Sequence, residues 1–235
     1  MIDIHCHLLY GVDDGPETIE ESIDMLKIAK EQGIDAIILT PHYRRRMFPY
    51  NKECIFAHMR ELQPYAKKIG IDIYLGTEYH VNSSMVEHLE SGKCLPLADT
   101  NCVLTEYEYE TEYSYIKKMT QELMFHGYTP VIAHVERYGC LLKDIDKIAE
   151  LSKMGAWIQV NADAILGNDG WRMKQFCKKL LKADLIDVVA SDSHGIKKRA
   201  CHMGKCREYV AKKYGEDTAQ VLFEENPAMI INIGD

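Results

Sequence analysis

Short runs of β-branched and aliphatic residues alternate with amphipathic stretches along the whole 235-residue chain. The runs Ile2–His5, Ala36–Thr40, Asp72–Gly76, Cys102–Glu106, Thr129–Ala133, Trp157–Val160 and Asp187–Ala190 predict seven strands. Between them, apolar residues recur at helical spacing. Ile19, Ile23 and Leu26, with Lys30, mark one helix ended by Gly33, and Pro16 suits its first turn. Ile116, Met119 and Leu123 mark a second, ended by Gly127, and Ile145, Ile148 and Leu151 a third, ended by Gly155. The stretch from Met203 to Glu225 predicts one or two further helices before Asn226-Pro227. Strands separated by helices run parallel, because each return needs a crossover. Nearly every predicted strand ends in His, Asp or Glu. A closed barrel gathers all its strand ends at one mouth, whereas an open sheet serves its site from a few loops. The pattern therefore predicts an α/β protein with a distorted, TIM-like (β/α)7 barrel. No repeat, low-complexity tract or linker interrupts it, so residues 1–235 read as a single domain.

Composition narrows the class. Apolar residues make up 46% and charged residues 27%, as in ordinary globular proteins, and the formal charge is −8. That balance argues against broad binding of nucleic acid or anionic membrane. No apolar run approaches the roughly 18 residues of a membrane span, and strand-like sequence from Ile2 leaves no room for a signal peptide, so a cytoplasmic location is expected. The eight cysteines are scattered without a C-x-x-C pair and read as free thiols.

The candidate chemistry lies at the strand ends. His5 and His7 are two residues apart in a strand and can face one ion, and Asp192 and His194 share that spacing. His42, Glu78, Glu106 and His134 follow four other strands, and the first loop adds Asp13-Asp14-Gly15. One polar residue after a strand is commonplace. Six strands out of seven ending this way describe a metal centre, and an imidazole–carboxylate donor set without thiolate suits Mn²⁺, Fe or Zn²⁺. The remaining strand ends in Asn161. Blander readings apply elsewhere. Arg44-Arg45-Arg46 fits a solvated loop as well as a basic rim. His58, His88 and His126 read as surface residues of helices, His80 as turned toward the cleft, and Tyr107, Tyr109, Tyr113 and Tyr115 as wall and surface. Cys54 to Arg60 and Cys201 to Arg207 match C-x5-R, but the first reads as helix interior and the second has no preceding strand.

The stretches His5-Cys6-His7, Val12-Asp13-Asp14-Gly15-Pro16, Pro130-Val131-Ile132-Ala133-His134-Val135-Glu136-Arg137-Tyr138, Gln159-Val160-Asn161 and Ala190-Ser191-Asp192-Ser193-His194 resemble the PHP (polymerase and histidinol phosphatase) superfamily. More narrowly, they resemble its capsule and exopolysaccharide tyrosine-protein phosphatases of Gram-positive bacteria. The resemblance implies three divalent ions, Mn²⁺ first. His5, His7 and Asp192 would hold one, bridged by Glu78 to a second that Glu106 and His134 complete. Asp14, His42 and His194 would hold the third, and the choice of Asp14 over Asp13 rests on the resemblance alone. Arg137 and Arg199 would bind phosphate oxygens as charge spreads over them. Cys6, facing away from the histidines, would be packing. The implied activity is hydrolysis of phosphotyrosine on a bacterial tyrosine kinase by metal-generated hydroxide, without a phosphoenzyme. The kinase tail would be the partner, with neither nucleic acid nor membrane insertion involved. The alternative enzyme is a small-molecule phosphatase, such as one for histidinol phosphate. A kinase-binding protein without turnover is disfavoured, because buried ligands kept unused are costly.

Overall fold

Ala36-Ile37-Ile38-Leu39 is apolar at every position, the signature of a parallel strand covered on both faces. The computed structural model describes residues 1–231 and contains β1 (Ile2–Cys6), β2 (Ala36–Leu39), β3 (His42–Tyr43), β4 (Asp72–Leu75), β5 (Glu78–His80), β6 (Cys102–Glu106), β7 (Thr129–Ile132), β8 (Trp157–Asn161) and β9 (Val188–Ala190). β3 prolongs β2 past Thr40-Pro41, and β5 prolongs β4 past Gly76-Thr77. Nine segments thus make the seven expected staves. All pair in parallel, in the orders β1-β2-β4 and β3-β5-β6-β7-β8-β9. The curled sheet closes between β1 and the end of β9, where Asp192 N donates to His5 O and His7 N to Ser193 O, both at 2.9 Å. The expected distorted barrel is the observed fold.

Two apolar layers hold it. The inner one fills the barrel below its mouth, with Ile4, Ile38, Leu104, Val131 and Val188, and is floored by Ile230 and Ile231. The outer one lies between strands and helices, with Leu26, Leu62, Leu123, Leu151 and Leu180. The helices expected around Ile19, Ile116 and Ile145 are present as Ile19–Glu31, Tyr113–Phe125 and Ile145–Lys153. Pro16 precedes the first rather than lying in it; Thr18 is the cap, its hydroxyl accepting from Glu21 N. Asn226-Pro227 does not end the helical tail. Helical backbone continues through it, from Glu216–Gln220 and the π-turn Val221–Glu225 into Asn226–Ile230, with Pro227 just past the wider turn. No helix among the described residues is long and apolar enough to cross a membrane.

One irregularity in β1 matters for everything above it. Asp3 pairs with Ile37 and Cys6 with Leu39, three steps against two, so β1 holds one extra residue, a β-bulge. Ile2 and Ile4 belong to the inner layer and Cys6 to the outer one. Strict alternation from Ile4 would send His5 outward; the bulge turns it in. Asp3 Oδ1 accepts from His5 N at 3.4 Å and from Ser191 N at 3.0 Å, satisfying amides beside the bulge.

Candidate metal and phosphate site

At the C-terminal mouth, Glu78 stands among four imidazoles. Its Oε1 is 2.8 Å from His134 Nε2 and 3.3 Å from His5 Nε2, and its Oε2 is 3.1 Å from His7 Nε2 and 2.8 Å from His42 Nδ1. Ligand-type atoms converge in four overlapping groups, each within 4.8 Å: His5, His7 and Asp192; His5, Glu78 and His134; His42, Glu78 and Glu106; and His7, Asp14, His42 and His194. The nine residues therefore share one place; the implied sets His5–His7–Asp192 and Asp14–His42–His194 recur within these groups, and the implied partners of Glu78 fall in two of them. Glu106 lies with His42 and Glu78, and His134 with His5 and Glu78. His134 and Asp192 have left-handed φ of 33° and 50°, and Arg199 has 49°. Such conformations cost roughly 1–3 kcal/mol each and persist where surrounding structure over-determines them.

The arginines meet the cluster at Asp192. Arg137 Nη1 lies 2.8 Å from Asp192 Oδ2. Arg199 Nη2 donates to both Asp192 oxygens at 3.0 and 3.1 Å, and Arg199 Nη1 to Asp14 Oδ2 at 3.4 Å. Both guanidinium groups line a cleft of about 330 Å³ with Asp14, His42, Glu78, Glu106, His134 and Asp192, while Arg44, Met47 and Phe48 form its rim. Phe48 stacks flat on His42, with centroids 5.0 Å apart. His5 and His7 are fully buried beneath this surface.

Three residues whose roles the sequence left open support the ligands. Asp13 Oδ2 is 2.8 Å from His7 Nδ1 and accepts from His42 N at 3.0 Å, so it orients ligands where Asp14 faces the cleft. Gln159 Oε1 is 3.2 Å from His5 Nδ1 and accepts from His134 N, while its Nε2 donates to Asn161 Oδ1. Asn161 in turn donates to Asp192 Oδ2 at 2.9 Å. Carboxylate and amide partners of this kind fix the tautomer and plane of ligating imidazoles. The run Gln159-Val160-Asn161 carried the signal, two amides on one strand face. His88 is not at the surface: it is buried and shares a 2.6 Å hydrogen bond with the Tyr79 hydroxyl. His80 turns to Glu108, 3.1 Å away. Cys6 packs against Ser193, Cys54 lies within the helix Lys52–Ile69, and burial pushes the Cys201 thiol up.

Burial opposes charge throughout the mouth, and neighbours decide which groups keep it. Against desolvation, Glu78 and Asp192 raise His5, Asp13 raises His7 to about 9, and Glu78 raises His42 to about 11. Burial with Arg137 lowers His134 to about 4, and burial with His7 lowers His194 to about 4. Glu78 and Asp192 stay well below the carboxylate range despite burial, held by His5 and His42 and by His5 and the arginines respectively. Glu106, desolvated and beside ionised Glu78, rises to about 7. His42 Nδ1 and Glu78 Oε2, though close, are not aligned for a hydrogen bond. These atoms, Glu106 Oε2 and His194 Nε2 are buried without a hydrogen-bond partner among the described residues. Buried lone pairs left open in this way fit divalent cations.

Fold and site place the chain among TIM-like barrels that carry an imidazole–carboxylate centre at the C-terminal mouth. It belongs to the CpsB/CapC capsular polysaccharide synthesis family, whose sequence profile matches residues 1–232. Tyrosine-protein phosphatase CpsB of Streptococcus pneumoniae is 35% identical over 98% of each chain. Tyrosine-protein phosphatase YwqE of Bacillus subtilis is 30% identical over 99% of this chain and 92% of its own. A crystal structure from the study of YwqE and CpsB, described there as unique metal-dependent tyrosine phosphatases, superposes with a TM-score of 0.92 at 30% identity, covering 99% and 94% of the two chains. An organophosphorus hydrolase mutant from Deinococcus radiodurans, at 12% identity and TM-score 0.66 over 98% of this chain and 92% of its own, shares the barrel fold alone.

Proposed function

We propose that the chain is a metal-dependent protein-tyrosine phosphatase acting on phosphotyrosine of a bacterial tyrosine kinase, in the control of capsule or exopolysaccharide synthesis. In this reading residues 1–235 form one cytoplasmic catalytic domain, and the kinase's phosphotyrosine tail is its partner. The observation that carries it is the convergence of nine imidazole and carboxylate side chains with two guanidinium groups on one cleft. His5, His7, Asp14, His42, Glu78, Glu106, His134, Asp192 and His194 would hold three divalent cations. Mn²⁺ is the first choice, and Fe or Zn²⁺ also matches the donors. When bound, such ions supply Lewis acidity, neutralising phosphate oxygens and making water acidic enough to yield hydroxide near neutral pH.

The chain's own groups do the rest. Arg137 and Arg199 each keep donors beyond those given to Asp192, and their planar forks match two oxygens of a phosphate. Asp192 holds both forks in place before substrate arrives, so little reorganisation is needed as charge develops. Phe48 and Met47 offer an apolar rim for the tyrosyl ring. Asp13 and Gln159 keep the buried imidazoles in register. The test is hydrolysis of a phosphotyrosine peptide against histidinol phosphate, with chelator and with Mn²⁺ restored. Peptide turnover that chelation abolishes and Mn²⁺ recovers is expected. Chelator-resistant turnover, or a preference for histidinol phosphate, would overturn the assignment.

A further inference from the structure

Beside the phosphate cleft lies a second cavity of about 190 Å³, which shares Arg44 and Phe48 with it. We propose that this cavity is an anion subsite, formed by Arg45, Arg46 and Lys93, for a carboxylate or second phosphate next to the phosphotyrosine being hydrolysed. The inference rests on the phosphatase reading and adds the substrate's local sequence.

Arg44 is already committed, 2.6 Å from Glu108 and 3.7 Å from Glu106. Arg45 and Arg46 form no ion pair among the described residues, nor does Lys93, whose Nζ lies over the Tyr43 ring at 5.8 Å. Lys93 Nζ also lies 3.4 Å from His88 Nε2, a neutral partner that leaves its charge in place, so three cations without an acidic partner share one small cavity in a chain of net charge −8. They give an anionic substrate a local field opposite in sign to that of the whole protein. The wall behind them is rigid. Tyr43 is buried, stacks on Tyr79 at 4.7 Å and meets Tyr50 edge-on, and the Tyr50 hydroxyl is hydrogen-bonded to Thr77. The turn itself is held. Met47 N and Phe48 N both donate to Arg44 O at 3.1 Å, and Arg46 adopts φ of 70°, strained for any residue with a Cβ. Consecutive residues of an extended peptide advance about 3.3 Å, so a side chain one or two places from the phosphotyrosine reaches the adjoining cavity.

The test compares wild type with Arg45→Ala/Arg46→Ala and with Lys93→Ala. Substrates are p-nitrophenyl phosphate and phosphotyrosine peptides flanked by Ala, by Glu or by a second phosphotyrosine. Turnover and peptide binding by fluorescence anisotropy are read together. The subsite predicts that wild type favours the anion-flanked peptides by about 3- to 10-fold, the size of a few exposed ion pairs. That preference should fade at high salt and in the variants, while p-nitrophenyl phosphate hydrolysis stays within about twofold. The larger of the two gains identifies the anion as carboxylate or phosphate. Equal turnover and binding of Ala- and anion-flanked peptides by wild type would overturn the subsite. So would variants that lose p-nitrophenyl phosphate hydrolysis as much as peptide hydrolysis. Should no peptide turn over while the binding preference persists, the phosphatase reading fails and the subsite stands.

Discussion

Replacing Arg199 by Ala tests whether phosphate recognition is separable from assembly of the cluster. The side chain is 42% exposed, so its field at a bound phosphate is partly screened by water. A unit charge about 4 Å away is worth roughly 4 kcal/mol at an effective dielectric of 20 and roughly 1 kcal/mol in bulk water. A group at the cleft mouth falls between, at roughly 2–3 kcal/mol, or about a 30- to 150-fold loss in kcat/KM. Asp192 is not orphaned by the change, because Arg137 Nη1 at 2.8 Å and Asn161 Nδ2 at 2.9 Å still hold it. Alanine keeps the Cβ, so the backbone at φ 49° gains no new strain. Metal content by elemental analysis and the unfolding midpoint should therefore match wild type. Arg199→Lys should recover less than about tenfold, since a point charge replaces a two-pronged donor. Wild-type kinetics of Arg199→Ala on a phosphotyrosine peptide would refute the reasoning, as would loss of metal in proportion to activity.

Glu78→Gln removes the one carboxylate that touches four imidazoles, and should lower metal content and turnover together; full occupancy in that variant would reduce Glu78 to a structural group. Asp13→Asn keeps the shape but weakens the acceptor for His7, and should reduce metal affinity about 10- to 100-fold with the fold intact. Unchanged affinity in a metal titration would remove Asp13 from the orienting role. His7 at about 9 and His42 at about 11 are above their ordinary value and protonated at pH 7, whereas a metal ligand must be neutral. Mn²⁺ binding to metal-free protein should thus release protons and tighten as pH rises toward 9. Calorimetry in buffers of different ionisation enthalpy that shows no release would contradict this.

The barrel was legible because its signal is local. Each stave is a short β-branched run followed by a polar residue, and each of the three marked helices carries a 3.6-residue stripe ended by glycine. What escaped was set at long range. The extra residue in β1 shows only against its partner strand, so H-x-H alone did not reveal how His5 comes to face inward. Asp13 and Asp14 are adjacent and chemically equal. Their roles part only because one meets His7 and the other meets His42 and His194 across the mouth. His88 sits on a short helix whose exposure depends on Tyr79 beneath it, a contact no periodicity encodes. The grouping of Glu106 with His42 reflects β3 and β5 pairing side by side, with β6 next to β5.

Closure of the barrel between β1 and β9 also imposes an order on how the protein is made. The strand bearing His5 leaves the ribosome well before the strand that will close the ring against it. Its second neighbour, with Asp192, follows some 185 residues later, roughly 10–40 s at ordinary elongation rates. Until then one edge of β1 has no partner, and an open edge invites pairing with any exposed strand. Asp3 stands at that edge, and its carboxylate reaches Ser191 N only once the ring closes. Before closure it is a charge aimed into what an incoming strand would have to bury, which discourages the wrong neighbour. The same carboxylate thus guards the nascent chain and later ties β1 to the segment after β9, and the cluster at the mouth is complete only once Asp192 and His194 have been added.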